Sequence, residues 1–148
     1  MHMIKLYTIW FTQKTAEQFF SLLEKNKVKK IIDTRINNKS QLAWFTKQPD
    51  FEFFLDKFCI EYVYEPLFAP TKELLKRYQN KEIDWNEYEV VYNKLLRERK
   101  AHMLYSLEKL DNSCLLCSEH LPNQCHRRLL AEYLSSCNDW KIDTIHLF

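Results

Sequence analysis

Apolar and polar residues alternate from Ile4 to Ile9 among β-forming side chains, which predicts a first strand. Thr15-Ala16-Glu17-Gln18 has the spacing of a capping box. Behind it Ala16, Phe19, Phe20 and Leu23 recur at helical intervals, so a helix opens there. Val28 to Thr34 reads as the second strand and ends in Asp33-Thr34-Arg35, before a polar stretch through Asn37-Asn38-Lys39-Ser40. Pro49 starts a short helix carrying Phe51, Phe54, Leu55 and Phe58, since an early helical position tolerates the missing N–H. Ile60 to Tyr64 is the third strand, stopped by Pro66. Pro70-Thr71 opens a helix to about Tyr78. Asp84-Trp85-Asn86-Glu87 is a second capping box, leading a helix with Trp85, Tyr88, Tyr92, Leu95 and Leu96 on one side that runs to about Lys100. Ala101 to Leu110 is also helical in pattern and can continue that helix. Ser113 to Ser118 is an apolar fourth strand, a helix covers about Gln124 to Ser136, and Ile142 to Leu147 closes as a fifth strand.

Short apolar strands alternating with helices predict a single α/β domain. Its sheet is mostly parallel, of about five strands, with helices on both faces. Ligands of such sheets bind beyond the carboxyl ends of the strands. Here those ends are Thr8, Asp33 to Arg35, Glu65, and Cys117 to Glu119.

The chain has 148 residues, 46% of them hydrophobic, enough for one core and too many for a disordered chain. A formal net charge of +2 does not by itself argue for nucleic acid. No apolar run is long enough to span a membrane, and no segment has the form of a secretion signal, so a cytoplasmic location is expected. The opening Met1-His2 reads as an expression remnant ahead of Met3. The five cysteines then read as reduced thiols or metal ligands. Cys59 and Cys137 are expected to serve packing alone.

Glycine is absent, where average usage predicts roughly ten. Glycine-rich phosphate loops are therefore excluded. Asn, the usual substitute in left-handed turns, stands where turns are expected, at Asn26, Asn37-Asn38, Asn80, Asn112 and Asn138.

The sharpest chemical signal is Leu116-Cys117-Ser118-Glu119, then Pro122, then Cys125-His126-Arg127-Arg128. A strand, a turn and the first turn of a helix bring N–H groups and the positive dipole end to one place, which suits an anion. Arg127 or Arg128 adds a planar fork for phosphate or carboxylate, with Ser118 and Thr8 beside it. Cys125 is a candidate nucleophile at a helix start. His126, with Glu119 or Asp33, is a candidate for proton transfer. The bland reading is a packed thiol, a turn-orienting imidazole and a structural ion pair. Asp33-Thr34-Arg35 offers a second carboxylate and guanidinium to the same crevice, or an ion pair at the sheet edge. Trp10 and Trp44 suit stacking on a base, or a lid and core cover.

Cys114, Cys117, Cys125 and His126, with His120 nearby, are legitimate zinc ligands by type. However, Cys114 and Cys117 are three apart on a strand and point to opposite sides, so no metal is expected.

On these residues the chain resembles the domain-of-unknown-function 488 family over nearly its whole length. The match rests on Tyr7-Thr8-Ile9, Asp33-Thr34-Arg35, Ser40 to Phe45, Tyr64 and Pro66. It is strongest at Leu116-Cys117-Ser118-Glu119, Pro122 and Cys125-His126-Arg127. The resemblance implies a small α/β fold and no settled activity. The family pattern has Gly after the first strand and before the Phe of the second loop, where this chain has Trp10 and Trp44. Either those turns are reshaped or indole fills part of the pocket.

Three functions are open: an enzyme acting on a phosphorylated or nucleotide-like small molecule, a non-catalytic nucleic-acid or nucleotide-binding module, and an interaction domain. A small anionic ligand is the expected partner of the first, with no cofactor. Nothing in the sequence sets an oligomeric state.

Overall fold

The computed structural model describes residues 3–10, 14–36, 49–117 and 126–148. Five strands form one sheet: β1 Ile4–Trp10, β2 Lys30–Asp33, β3 Glu61–Tyr64, β4 Ser113–Cys117 and β5 Ile142–His146, in the order β3-β2-β4-β1-β5. Every neighbouring pair is parallel, so the sheet is parallel throughout. The helices are α1 Ala16–Lys25, α2 Asp50–Lys57, α3 Lys72–Gln79, α4 Trp85–Glu98, α5 Leu107–Leu110 and α6 His126–Cys137. None of the described helices is long and apolar enough to cross a membrane.

Period-2 side-chain alternation splits the core in two. On one face Phe19, Phe20 and Leu23 of α1 and Phe51 and Leu55 of α2 pack on Tyr7, Ile9, Ile31, Cys114 and Leu116. On the other, Tyr88, Tyr92 and Leu96 of α4 and Leu129, Leu130 and Leu134 of α6 cover Ile4, Leu6, Ile32 and Leu115. Chain direction reverses at the centre of the sheet. From β1 the chain crosses by α1 to β2 on one side, while from neighbouring β4 it crosses by α6 to β5 on the other. Such a reversal opens a crevice at the carboxyl ends of the two strands, here where Trp10 is in register with Cys117.

The helix starts follow the sequence closely. Thr15 Oγ1 accepts from the Gln18 N–H at 3.1 Å while Gln18 Oε1 accepts from the Thr15 N–H at 2.9 Å, a complete capping box. Asp84 caps α4 through the Glu87 N–H at 2.8 Å. The helix ends differ from expectation. Ala101 to Leu110 does not continue α4. Lys100 takes a left-handed conformation at φ 52°, a 3-10 turn follows over Ala101–Met103, and Ser106 caps the short α5 through the Lys109 N–H.

Among the described residues the left-handed positions are Lys27, Cys59, Lys81, Lys100, Asn112, Asp139 and Trp140. Of the asparagines expected there, Asn112 alone is found so among the described residues. Asn37 and Asn38 lie outside them. Asn26 and Asn80 sit one residue earlier, as helix caps. The Nδ2 groups of Asn26 and Asn138 donate to Leu22 O and Leu134 O at 2.8 and 2.7 Å. These amides satisfy the last helical carbonyls, and the next residues turn the chain. Each left-handed non-glycine residue costs about 1–2 kcal/mol. Cys59 and Cys137, expected to pack, are both exposed. Cys59 follows α2 in one of these turns and Cys137 is the last residue of α6.

Candidate anion and proton-transfer site

Side chains gather at the carboxyl ends of the strands in two groups, one on each face of the sheet. On the α6 face stand Thr8, Thr34, Cys117, His126, Arg127 and His146. On the α2 face stand Asp33, Arg35, Tyr62 and Tyr64. The expected single crevice holding Asp33, Arg35 and Arg127 is thus divided, because Asp33 shares the pleat direction of Ile31, whereas Thr34 shares that of Ile32.

Arg127 is completely buried in the first turn of α6 and is the largest side chain so enclosed among the described residues. Its Nη1 donates to Cys117 Sγ at 2.7 Å. Its guanidinium carbon lies 5.1 Å from the centre of the Trp10 ring. Its charge is also felt further off, lowering the pKa of Lys14 and of His146 in each case after the larger effect of burial.

His126, also buried, sets its own tautomer. Its Nε2 lies 3.1 Å from Thr34 O and 2.9 Å from Thr34 Oγ1. A carbonyl oxygen only accepts, so Nε2 carries the proton, and the neutral ring has its lone pair at Nδ1. The Thr34 hydroxyl donates onward to Leu116 O at 2.7 Å, which ties the imidazole to β4. Tyr92 packs edge-on against the ring, its own hydroxyl donating to Phe68 O.

Thr8 Oγ1 meets His146 Nδ1 across the β1–β5 pair. Burial, then Arg127, holds the His146 pKa below its ordinary 6.5. As pH falls past 6.5, the unfolded chain therefore takes up this proton before the folded one. The group's contribution to stability is full above 6.5, declines below it, and levels off once the folded imidazole also protonates. His146→Gln is expected to flatten that part of the acid decline, measured as denaturant midpoints between about pH 7.5 and 5.

On the other face Asp33 is fully buried and accepts four hydrogen bonds. Oδ1 takes the Arg35 N–H at 3.1 Å and Nε–H at 2.9 Å. Oδ2 takes Arg35 Nη2–H at 2.7 Å and the Tyr62 hydroxyl at 2.8 Å. With both oxygens so occupied, Asp33 is built to hold Arg35. The Arg35 guanidinium carbon lies 5.8 Å from the Phe51 ring centre. Tyr64 donates to Ile36 O at 2.8 Å, and burial, then Asp33, raises its pKa.

Trp10 is the last residue of β1 and has no positive φ, and residues 11–13 that follow it lie outside the described residues. Its indole is buried, with Phe148 edge-on at 5.2 Å and the Lys14 ammonium 3.1 Å from the ring centre. Cys114 packs on the α1 and α2 face while Cys117 reaches Arg127 on the other, so these two thiols share no ligand position. No group of three His, Cys, Asp or Glu suited to a metal occurs among the described residues. Ser118, Glu119, His120, Cys125 and Trp44 lie outside the described residues.

The model of the family described as domain of unknown function DUF488 matches residues 15–134. The chain belongs to that family. The match includes Asp33, Arg35, His126 and Arg127, while Thr8, Trp10 and His146 stand outside it. No curated protein and no solved structure matches. Lys14 and His146 were not among the residues singled out from the sequence. The readable signal for His146 was its even spacing from Ile142, which places it on the α6 face.

Proposed function

We propose that the carboxyl edge of the sheet on the α6 face binds a small phosphate-bearing, nucleotide-like molecule, and that His126 moves a proton on it. The observation that carries this reading is the complete burial of Arg127 in the first turn of α6, at the crevice between β1 and β4. A guanidinium there adds its fork to the positive end of a helix, a combination that suits phosphate oxygens. His126 has its Nδ1 lone pair set by the bond to Thr34 O, the arrangement a general base needs. Thr8 supplies a hydroxyl beside His146. Asp33 serves by fixing Arg35. In the same reading Ser118 adds an anion contact, and Glu119 and Cys125 add acid–base and nucleophilic groups.

Oligonucleotide binding is less well supported. The Arg35 guanidinium is already held by the Asp33 carboxylate and the Trp10 ring by Lys14 and Phe148, so neither offers its charge or its face to a strand.

Thermal unfolding against inorganic phosphate, a nucleoside, its monophosphate and a short oligonucleotide tests the reading. A ligand at 100 times its dissociation constant adds about 2.7 kcal/mol. At about 2–4 °C per kcal/mol, the monophosphate should raise the midpoint by roughly 5–10 °C, with the bare nucleoside having little effect. A shift with the oligonucleotide alone, lost in salt, would turn the assignment to nucleic acid. Unchanged midpoints with every phosphate probe would end it.

A further inference from the structure

Beside this site, between α1 and the end of the chain, is a cavity of about 430 Å³ lined by Trp10, Lys14, Gln18, Ser21, Leu22 and Phe148, with Lys25 at its side. The Lys14 Nζ is buried and has no hydrogen-bond partner among the described residues. It lies over the Trp10 ring, 3.1 Å from its centre. A ring face offsets part of the lost hydration of an ammonium but accepts none of its three N–H bonds in the way an oxygen does. The capping box occupies Gln18 Oε1, so what Gln18 has left to offer is its NH2 donor. Leu22 and the exposed Phe148 make the remaining wall apolar. Donors at one end and apolar surface at the other describe a ligand with an anionic head and a flat apolar body.

We infer that this cavity is a second ligand site, which takes a small aromatic carboxylate with its carboxylate on Lys14 and its ring against Leu22 and Phe148. The carboxylate supplies the acceptor that the ammonium lacks. Its volume suits a one- or two-ring acid rather than a polymer. The site adjoins the phosphate site across Trp10, whose ring both Lys14 and Arg127 approach, and has its own anchor in Lys14.

Burial, and then the positive charge of Arg127, lowers the Lys14 pKa to about 8. The charged group bearing on it is Arg127 from α6, and Lys25 of α1, also positive, lines the same cavity. A bound carboxylate favours the protonated amine, so binding is full below 8. It weakens about tenfold per pH unit above that, until the pKa of the complex is reached.

Naphthalene-2-carboxylate, titrated against tryptophan fluorescence, is the test, with its uncharged carboxamide as the control. The acid is expected to bind the native chain at least tenfold tighter than the amide, and Lys14→Met should abolish that preference. Met keeps the aliphatic length at a half-buried position. Ser21→Phe is the second variant. It fills the cavity from an exposed helix position, leaves Lys14 in place, and should block acid and amide alike. Retained phosphate stabilisation in Lys14→Met would separate the two sites. Equal binding of acid and amide, unchanged acid binding in Lys14→Met, or no fluorescence response to the acid at millimolar concentration would overturn the assignment.

Discussion

Asp33→Asn is expected to lower the unfolding free energy by about 3–5 kcal/mol, the cost of leaving one member of a buried ion pair without its counter-charge. Arg35 is 4% exposed and Asp33 not at all, and three of the four bonds to the carboxylate come from Arg35. An amide in the same place keeps one acceptor oxygen and turns two donors toward a guanidinium that has only donors. The loss is a large fraction of the 5–15 kcal/mol typical of a domain. Tyr62→Phe removes only the fourth bond, and about 1.5–3 kcal/mol is expected for a hydroxyl on a charged acceptor. The double variant Asp33→Asn, Arg35→Met should recover much of the single loss, since the stranded charge is gone. Urea midpoints with unchanged m-values measure all three. A single variant within about 0.5 kcal/mol of the native chain would show that the pair contributes little.

The layered architecture was legible where period and capping agree, as at α1 and α4. Thr15 with Gln18, and Asp84 with Glu87, mark helix starts to the residue. Helix stops were less legible without glycine. Asparagine has two ways to serve a helix end, by adopting the left-handed turn or by capping carbonyls from one residue before it. Asn26 and Asn138 donate to helical carbonyls while Lys27 and Asp139 make the turns. The break at Lys100 was hidden for the same reason. Nothing in the local pattern from Arg97 to Leu110 marks a lysine as the residue that leaves the helix.

That Asp33, Arg35, His126 and Arg127 lie at one end of the sheet was legible, and the face each takes was not. Strand ends locate Asp33, Arg35, His126 and Arg127 in one layer, and the pleat decides the face. That follows from the alternation of Ile31, Ile32, Asp33 and Thr34 once the sheet order is known. The order itself is a long-range property. His146 neighbours Thr8 only because β5 lies beside β1, and the sequence alone ranks no order over another.

The opposing behaviour of two Arg127 variants separates what this residue does for the fold from what it does for a ligand. Arg127→Ala removes a long, fully enclosed side chain and leaves a hole against Cys117 and Trp10. By analogy with buried large-to-small changes, it should lose about 2–5 kcal/mol. Arg127→Met fills most of that space without a charge. Replacing a buried charge by an apolar side chain of similar volume is often neutral or stabilising, so Met is expected within about 1 kcal/mol of the native chain. Removing the charge also relieves its neighbours. In Arg127→Met the pKa values of His146 and Lys14 should both rise, because Arg127 now pushes each down. The upward shift of His146, followed by NMR titration, reports that the pocket is intact and only the charge is gone. If such a stable, correctly folded variant no longer gains stability from the nucleoside monophosphate, the arginine is kept for the anion. If it gains as much as the native chain, Arg127 is a packing residue, and the phosphate would have to be held elsewhere.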